Sequence, residues 1–270
     1  MTAENQWQLS GSAAERYERV LVPAIFAEWA ADLVTLAELR QGEDVLDVAC
    51  GTGVVARLAA QRVGATGHVT GLDLNPDMLE IARMLPTRPG TATIVWVEGS
   101  AMAMQLPEAS FDVVLCQQGV QFFPDRGAGL REMSRVVRPG GRVLVSVWEG
   151  PTPYTTAMWY AVERHIGTDI ATALRKSRSL EDPEALRQVM IQVGLRDVEI
   201  RRRTRTARLP AIADFVLQHL AATPAAAAVA AVGERVRKAL AEDVDAALRP
   251  YADGDGIAFP DIANVVVGVR

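Results

Sequence analysis

Cysteine, histidine and long apolar runs are all scarce in this chain of 270 residues. Its two cysteines, Cys50 and Cys116, lie in apolar, strand-like stretches. They give no disulfide framework of the kind that staples small secreted domains. Histidine occurs three times, and no His, Cys or carboxylate group has ligand spacing, so no metal is expected. No stretch reaches the about 18 uninterrupted apolar residues of a membrane-spanning helix. The nearest approach, the Ala-rich run 221–232, is broken by Pro224 and followed by Gly233, Glu234 and Arg235. It reads as a helix in water, and no membrane span is expected. Residues 1–10 carry Glu4 and Trp7 but no basic region followed by an apolar run. No leader peptide is therefore expected, and the cytoplasm is the expected compartment.

Basic charge is not in excess either. Lys and Arg total 28 against 33 Asp and Glu, a net charge of -5, which argues against nucleic acid as the main partner. One local exception is Arg201, Arg202, Arg203 and Arg205. At strand spacing Arg201, Arg203 and Arg205 share a face. The plain reading is a solvated edge strand kept from aggregating by charge; the other is a patch for an anionic ligand. What remains is ordinary for a globular chain, with 49% hydrophobic and 23% charged residues. The length suits one large α/β domain, or one domain with a sizeable insertion.

Helical spacing of Tyr17, Val20, Leu21, Ile25 and Trp29 predicts a first helical segment over 13–39, broken or kinked at Pro23. Beyond Gly42 short apolar runs alternate with helical stretches. Strands are expected at 44–49, 68–73, 93–98, 111–116 and 142–147, with helices at 54–63, 76–85 and 127–137 between them. Near-continuous apolar strands separated by helices indicate a parallel sheet covered on both faces. Right-handed crossovers make it doubly wound. After Trp148 the reading is a helix over 151–166 and a helix from Pro183 to about 193, capped by Asp182 and stopped at Gly194. A strand at 197–206, a mostly helical stretch 211–248 and a strand at 257–269 complete the chain. The expected organisation is one domain over 1–270. It divides into an N-terminal helical segment 1–41, a core 42–150, and helical lid insertions 151–181 and 207–256 over the carboxyl edge of the sheet.

Residues 45–53 read Val-Leu-Asp-Val-Ala-Cys-Gly-Thr-Gly. A buried strand there ends in a loop with Gly51 and Gly53, and a helix follows. Glycines in that place let backbone N–H groups and the helix N-terminus approach a ligand. Residues 51–56 also fit the dinucleotide pattern G-x-G-x-x-A, a weak signal alone. Two features count against it. A carboxylate at Asp47 would repel a pyrophosphate on this loop, while an amino group or a sulfonium would be attracted. The first glycine also stands three residues beyond the strand rather than directly after it. The second signal is Asp73, about 20 residues after Gly53, at the end of the next strand, where an acid accepts two hydrogen bonds from a ribose diol. Leu74 is placed to pack on an adenine. An Asp before Asn75 and Pro76 is otherwise a common helix-capping device.

Further signals arrive in order: Glu98-Gly-Ser-Ala101, then Cys116-Gln-Gln-Gly-Val-Gln-Phe-Phe123, then Arg138-Pro-Gly-Gly141, which alone reads as a helix stop and turn. This series resembles class I S-adenosylmethionine-dependent methyltransferases, in the small-molecule branch that includes ubiquinone and menaquinone C-methyltransferases. The resemblance runs from about Tyr17 to Trp148 and continues more weakly through 182–206 and 257–269. It implies a Rossmann-like seven-stranded sheet of order 3-2-1-4-5-7-6 with the seventh strand antiparallel, and S-adenosyl-L-methionine as cofactor with S-adenosyl-L-homocysteine as product. It also implies that Tyr17 and Asp47 belong to the cofactor site and that Ala49, Gly51, Thr52 and Gly53 surround the methionine part. Asp73 would bind the ribose, Leu74 would lie beside the adenine, Ser100 and Ala101 at the adenine edge, and Gln117 over the sulfonium. Ser100 departs from the Asp or Asn that the family usually has there, and implies a weaker contact or one through water.

Methyl transfer from a sulfonium needs alignment and water exclusion more than a covalent intermediate. A base is required only where the acceptor loses a proton. Of the histidines, His68 begins a strand away from the site; His165 and His219 lie in the lid stretches and are the candidates for facing an acceptor, with plain packing as the alternative. Gln118, Gln121, Phe122 and Trp148, near the ends of the fourth and fifth strands, are the candidate acceptor wall, where ordinary lid packing would use similar residues. A small-molecule acceptor is expected. Two other readings stand beside methyl transfer: a nicotinamide-dependent oxidoreductase, and a methyltransferase-like protein that holds the cofactor for a cyclase or binding role.

Overall fold

The computed structural model describes residues 9, 11–180 and 182–270. The stretch read above for a leader peptide, apart from Leu9, lies outside them. The first helical segment is continuous but not uniform: α1 (Ser12–Arg16), a π-helix (Tyr17–Phe26) and α2 (Ala27–Leu36). Pro23 neither breaks nor ends it. Proline has no N–H to donate and crowds the carbonyl four residues back. Here the helix widens around it, and the Ala27 N–H reaches the Val22 carbonyl five residues earlier.

The core alternates as expected: β1 (Asp44–Val48), α3 (Val54–Val63), β2 (His68–Asp73), α4 (Pro76–Met84), β3 (Thr93–Glu98), β4 (Phe111–Gln117), a 3-10 turn (Val120–Phe122), α5 (Arg126–Val136) and β5 (Val137–Trp148). After it come α6 (Pro153–His165), α7 (Thr168–Arg175), a 3-10 turn (Lys176–Arg178), α8 (Pro183–Gln192) and β6 (Arg196–Leu209). The predicted stretch 211–248 is three helices, α9 (Ile212–Leu220), α10 (Ala226–Ala231) and α11 (Glu234–Leu248), divided near Pro224 and Gly233. A two-residue strand β7 (Ala252–Asp253) then forms a hairpin with β8 (Gly256–Val269).

The sheet order is β3-β2-β1-β4-β5-β8-β6, with β1 to β5 parallel and β8 antiparallel to both β5 and β6. With β8 as the seventh strand, this is the predicted Rossmann-like order; the short β7 is additional. Alternate residues of the central strands feed two cores. Val45, Val113 and Leu115 face Leu33, Val34, Val55 and Ala59 of α2 and α3. Leu46, Val48, Val114 and Cys116 face Leu130, Met133, Leu186 and Met190 of α5 and α8. Both faces are covered, so the strands are apolar throughout. A third core, around Tyr154, Trp159, Phe215, Leu220 and Leu240, holds α6, α9 and α11 together and joins them to Ile257 and Phe259 of β8.

Two local expectations change. The Pro-Gly-Gly segment 139–141 is not a turn after a helix but part of β5, which bulges there against β4. β6 is indeed the edge of the sheet, but its arginines are not simply solvated. Arg203 pairs with Asp32 at 2.9 Å and Arg205 with Glu28 at 3.0 Å, both on α2, while Arg202 on the other side pairs with Glu149 at 2.8 Å.

Candidate functional site

The ends of β1 and β4 carry two non-glycine residues in the left-handed region, Ala49 at φ 54° and Gln118 at φ 52°. Such strain persists only where the surroundings enforce it, and it collects at functional sites. The two loops touch: a Cβ on Gly119 would come within 2.7 Å of the Ala49 Cβ. Gly51 and Gly53 follow Ala49, also at positive φ, 54° and 84°. They differ in surroundings. A Cβ on Gly53 would strike the Trp96 indole at 2.2 Å, whereas one on Gly51 would meet only the Tyr17 ring, at 3.9 Å. Gly53 is fixed by a neighbour beneath it, and Gly51 by its backbone conformation.

Two carboxylates organise this loop from different sides. Asp47 is 1% exposed and lies beneath the loop rather than open to a crevice. Its Oδ2 accepts the Ala56 N–H at 2.9 Å, an orphan donor in the first turn of α3. Burial pushes its pKa up to about 8, against the pull of that hydrogen bond, with the Asp73 charge adding to the rise. Asp73 spans two loops. Its Oδ2 accepts from Gly51 N at 2.7 Å and its Oδ1 from Asn75 N at 2.8 Å. Capping of α4 belongs to Asn75, whose side chain accepts from Asp77 N and Met78 N. Asp73 therefore has a task the capping alternative does not account for. Its pKa is raised by burial and held back by its backbone donors.

The other predicted positions fall around this pair. Tyr17 stands over Gly51; burial, then the Asp73 charge, raises its pKa, so its hydroxyl keeps its proton. Thr52 is buried with an unpartnered Oγ1. Leu74 follows Asp73, half-buried. Ser100 Oγ accepts from Met102 N at 3.2 Å, and Ala101 is buried beside it. Gln117 extends its Nε2 to the Phe26 carbonyl at 3.0 Å, tying β4 to the N-terminal helix. Gln118 donates to Ser146 Oγ at 2.9 Å and Gln121 to the Ser177 carbonyl at 3.2 Å; the Oε1 atoms of both are buried and unpartnered. Phe122 closes the same 3-10 turn, half-buried. Trp148 ends β5, edge-on to Trp29 at 5.5 Å between ring centres.

The two histidine candidates separate. His165 Nε2 is paired with Asp243 of α11 at 2.7 Å, three turns and about 16 Å along α6 from Tyr154. His219 instead meets the Tyr154 hydroxyl with its Nδ1 at 3.0 Å. Burial, with a contribution from the Arg178 charge, pushes its pKa down to about 4. His68 is exposed and pairs with Asp44 at 3.0 Å.

Several participants carried no signal in the sequence. Arg57, one turn into α3, donates to the Thr52 carbonyl and to Glu18 Oε1, and Glu18 Oε2 is buried without a partner. Arg178 lies over the Trp148 ring at 4.4 Å and forms a bidentate pair with Asp261, both bonds 2.9 Å, while donating to the Gly150 carbonyl. Helical periodicity marks neither the charge nor its partner 83 residues later. Beside this pair is a cavity of about 120 Å³, walled by Ala24, Ile25, Trp29, Tyr154, Arg178 and Asp261 among others. Among the described residues no group of three His, Cys, Asp or Glu could hold a metal ion, and no helix is long and apolar enough to cross a membrane.

A model of the ubiE/COQ5 methyltransferase family matches residues 11–206. A demethylmenaquinone methyltransferase of Listeria monocytogenes (serotype 4a, strain HCC23) is 35% identical over 129 residues, covering 48% of this chain and 54% of that protein. One of Halalkalibacterium halodurans is 30% identical over 185 residues, 64% of this chain and 76% of that protein. The chain thus spans about half the length of the first of these relatives. In fold it is similar to a phosphoethanolamine N-methyltransferase 2 of Haemonchus contortus solved with S-adenosyl-L-methionine. The TM-score is 0.59 at 18% identity, over 95% of this chain and 56% of that one. The chain belongs to the ubiE/COQ5 methyltransferase family.

Proposed function

We propose that this member of the ubiE/COQ5 methyltransferase family moves a methyl group from S-adenosyl-L-methionine to a small-molecule acceptor, leaving S-adenosyl-L-homocysteine. The observation that carries the reading is the Asp73 carboxylate, one oxygen on Gly51 N and the other on Asn75 N. It sits where a ribose diol has two acceptor oxygens with further lone pairs to meet. The residues around it fit the cofactor. Gly51 leaves room beside the Tyr17 ring, Thr52 Oγ1 and Glu18 Oε2 are buried polar atoms in need of partners, and the Asp73 carboxylate beside the loop disfavours a pyrophosphate. Bound here, the cofactor supplies a methyl group already activated on a sulfonium.

The chain's own contribution is position and dryness. Tyr17, Gly51, Thr52 and Gly53 would hold the methionine end, with Ala49 at the strained turn. Asp47 acts from below, fixing the first turn of α3 through Ala56 N. Asp73 and Leu74 would take the ribose and the adenine face, and Ser100 and Ala101 the adenine edge, where the short Ser100 hydroxyl is already turned to Met102 N. Gln117 closes over the reacting centre from β4. Gln118, Gln121, Phe122 and Trp148 wall the acceptor side. Residues 42–150 form the cofactor core, 1–41 its N-terminal cover, and 151–181 with 207–256 a lid that excludes water. We place the protein in the cytoplasm, with no nucleic-acid partner given its net charge of -5.

Isothermal calorimetry tests the reading. S-adenosyl-L-methionine is expected to bind at micromolar concentration, and NADH and NADPH are not. Asp73→Ala should lose about 100-fold in affinity, two hydrogen bonds to a charged group at about 1.5 kcal/mol each. Folded protein that binds a nicotinamide and no S-adenosyl-L-methionine would return the site to the oxidoreductase reading.

A further inference from the structure

Glu18 lies in the first turn of the π-helix Tyr17–Phe26, next to the tyrosine that stands over Gly51. An acid in a first turn commonly answers the free N–H groups of a helix start. Here α1 runs straight into the π-helix, so no helix start is present for Glu18 to serve. Its carboxylate crosses to α3 instead. Oε1 accepts from Arg57 Nη2 at 3.0 Å, while Arg57 Nη1 donates to the Thr52 carbonyl. Arg57 is thereby clamped between the glycine loop and the N-terminal helix, and both charged side chains are largely buried. A guanidinium can meet a carboxylate with two parallel N–H bonds. This one gives a nitrogen to the loop, and Glu18 Oε2 is left buried with no donor among the described residues.

A buried carboxylate oxygen needs a donor, and its surroundings say of what kind. The charges of Asp73, Glu18 and Asp47 all act on the Tyr17 hydroxyl, so three acids reach the space over Gly51. Against them stands Arg57, which pairs with Glu18 and acts on Asp47. Asp47, its pKa pushed up to about 8 by burial, holds a proton at neutral pH, yet Glu18 and Asp73 still outnumber the one guanidinium. The missing donor is therefore a cation. The methionine end of the proposed cofactor is a zwitterion: an ammonium with three donors and no acceptor, and a carboxylate with acceptors only. The ammonium matches Glu18 Oε2. The carboxylate matches Thr52 Oγ1, a buried hydroxyl without a partner on a residue that Arg57 also holds. The cofactor's other amino group, on the adenine, is expected near Ser100 beyond β3. That is two strands from the β1 loop, or about 10 Å.

Resting on the methyltransferase reading above, we propose that Glu18 is a cofactor-binding residue that receives the α-ammonium of the methionine end on its Oε2, with Arg57 as the positioning residue that holds it against the loop. Glu18 then sets ligand choice by charge. It favours molecules that carry the amino acid end over the bare nucleoside thioether. Because Glu18 belongs to the N-terminal helix and Arg57 to α3, the contact also ties closure of that helix over the loop to the presence of an ammonium.

Calorimetric titration with four ligands tests the assignment: S-adenosyl-L-homocysteine, its decarboxylated analogue, its deaminated analogue and 5′-methylthioadenosine. The first two carry the ammonium and the last two lack it. Glu18→Gln keeps the length of the side chain and an acceptor for Arg57 but removes the charge. It should weaken the first two ligands about 10-fold or more and leave the last two within about 2-fold of the parent. Arg57→Lys keeps a cation but lacks the fork that reaches both Thr52 and Glu18. It should weaken the same two ligands, and the double variant should cost no more than Glu18→Gln alone. Equal weakening of all four ligands would mark the pair as structural. Unchanged binding of the ammonium-bearing ligands would leave Glu18 Oε2 to a water molecule, and a loss that follows the carboxylate would assign the wrong group. Each of these overturns the inference and keeps the methyltransferase reading. Folded parent protein that does not bind S-adenosyl-L-homocysteine would overturn both.

Discussion

Replacing either glycine of the loop by alanine puts a Cβ into the left-handed region, which costs an L-residue about 1–2 kcal/mol. At Gly51 little else follows, since the new methyl meets only the Tyr17 ring at 3.9 Å, an ordinary contact. At Gly53 the Cβ would stand 2.2 Å from one atom of the Trp96 indole and 2.7 Å from the next. The ring must move by more than 1 Å, and its own packing under Gly71, where a Cβ would meet it at 2.5 Å, leaves it no free direction. Overpacking of that kind costs about 1–3 kcal/mol. Gly53→Ala should therefore destabilise by about 2–5 kcal/mol against about 1–2 for Gly51→Ala. Urea unfolding with matched m-values measures both. Trp96→Leu removes the obstruction, so a cycle with Gly53→Ala should recover about 1–3 kcal/mol of coupling, and none with Gly51→Ala. Equal costs for the two glycines, or no coupling to Trp96, would refute the assignment of Gly53 to steric necessity.

Three other outcomes follow from the same reasoning. Arg178→Met leaves Asp261 buried without its partner and should cost about 3–5 kcal/mol in urea unfolding, whereas Arg178→Met with Asp261→Leu should recover most of it. Because the folded pKa of Asp47 is raised to about 8, the native state binds more protons than the unfolded chain between about pH 4 and about 8. This contribution to stability is present at low pH and lost as pH rises through that window; Asp47→Asn, which still accepts from Ala56 N, should gain on the parent in thermal scans from pH 5 to 8. Uptake of the cofactor by a neutral Asp47 is further expected to release protons near pH 7, read as a buffer-dependent calorimetric enthalpy.

The parts of this molecule that were legible in the sequence are those whose cause is local. Unbroken apolar strands such as Val113 to Cys116 had to be covered on both faces, so they announced a parallel sheet. Gly51, Gly53 and Asp73 carried the spacing of a ligand loop. What escaped depends on partners distant in the chain. The sequence suggests a charge on Asp47 acting directly on a ligand at the loop, but its oxygen is turned under the loop by an orphan donor of α3. Pro23 suggests a break or a kink, yet the helix continues through it by widening. Arg178 and Asp261, Gly53 and Trp96, and Tyr154 and His219 become pairs only once the sheet and the helices over it are assembled. Neither partner has a pattern around it that names the other.

The most direct test of the central claim is a crystal structure of the protein with S-adenosyl-L-homocysteine. Both ribose hydroxyls should lie on the Asp73 carboxylate, the methionine end between Tyr17 and the 51–53 loop, and the sulfur should be directed toward Gln117 and Trp148. A ligand seated elsewhere, or an Asp73 carboxylate that keeps only its bonds to Gly51 and Asn75 with no ribose on it, would contradict the account.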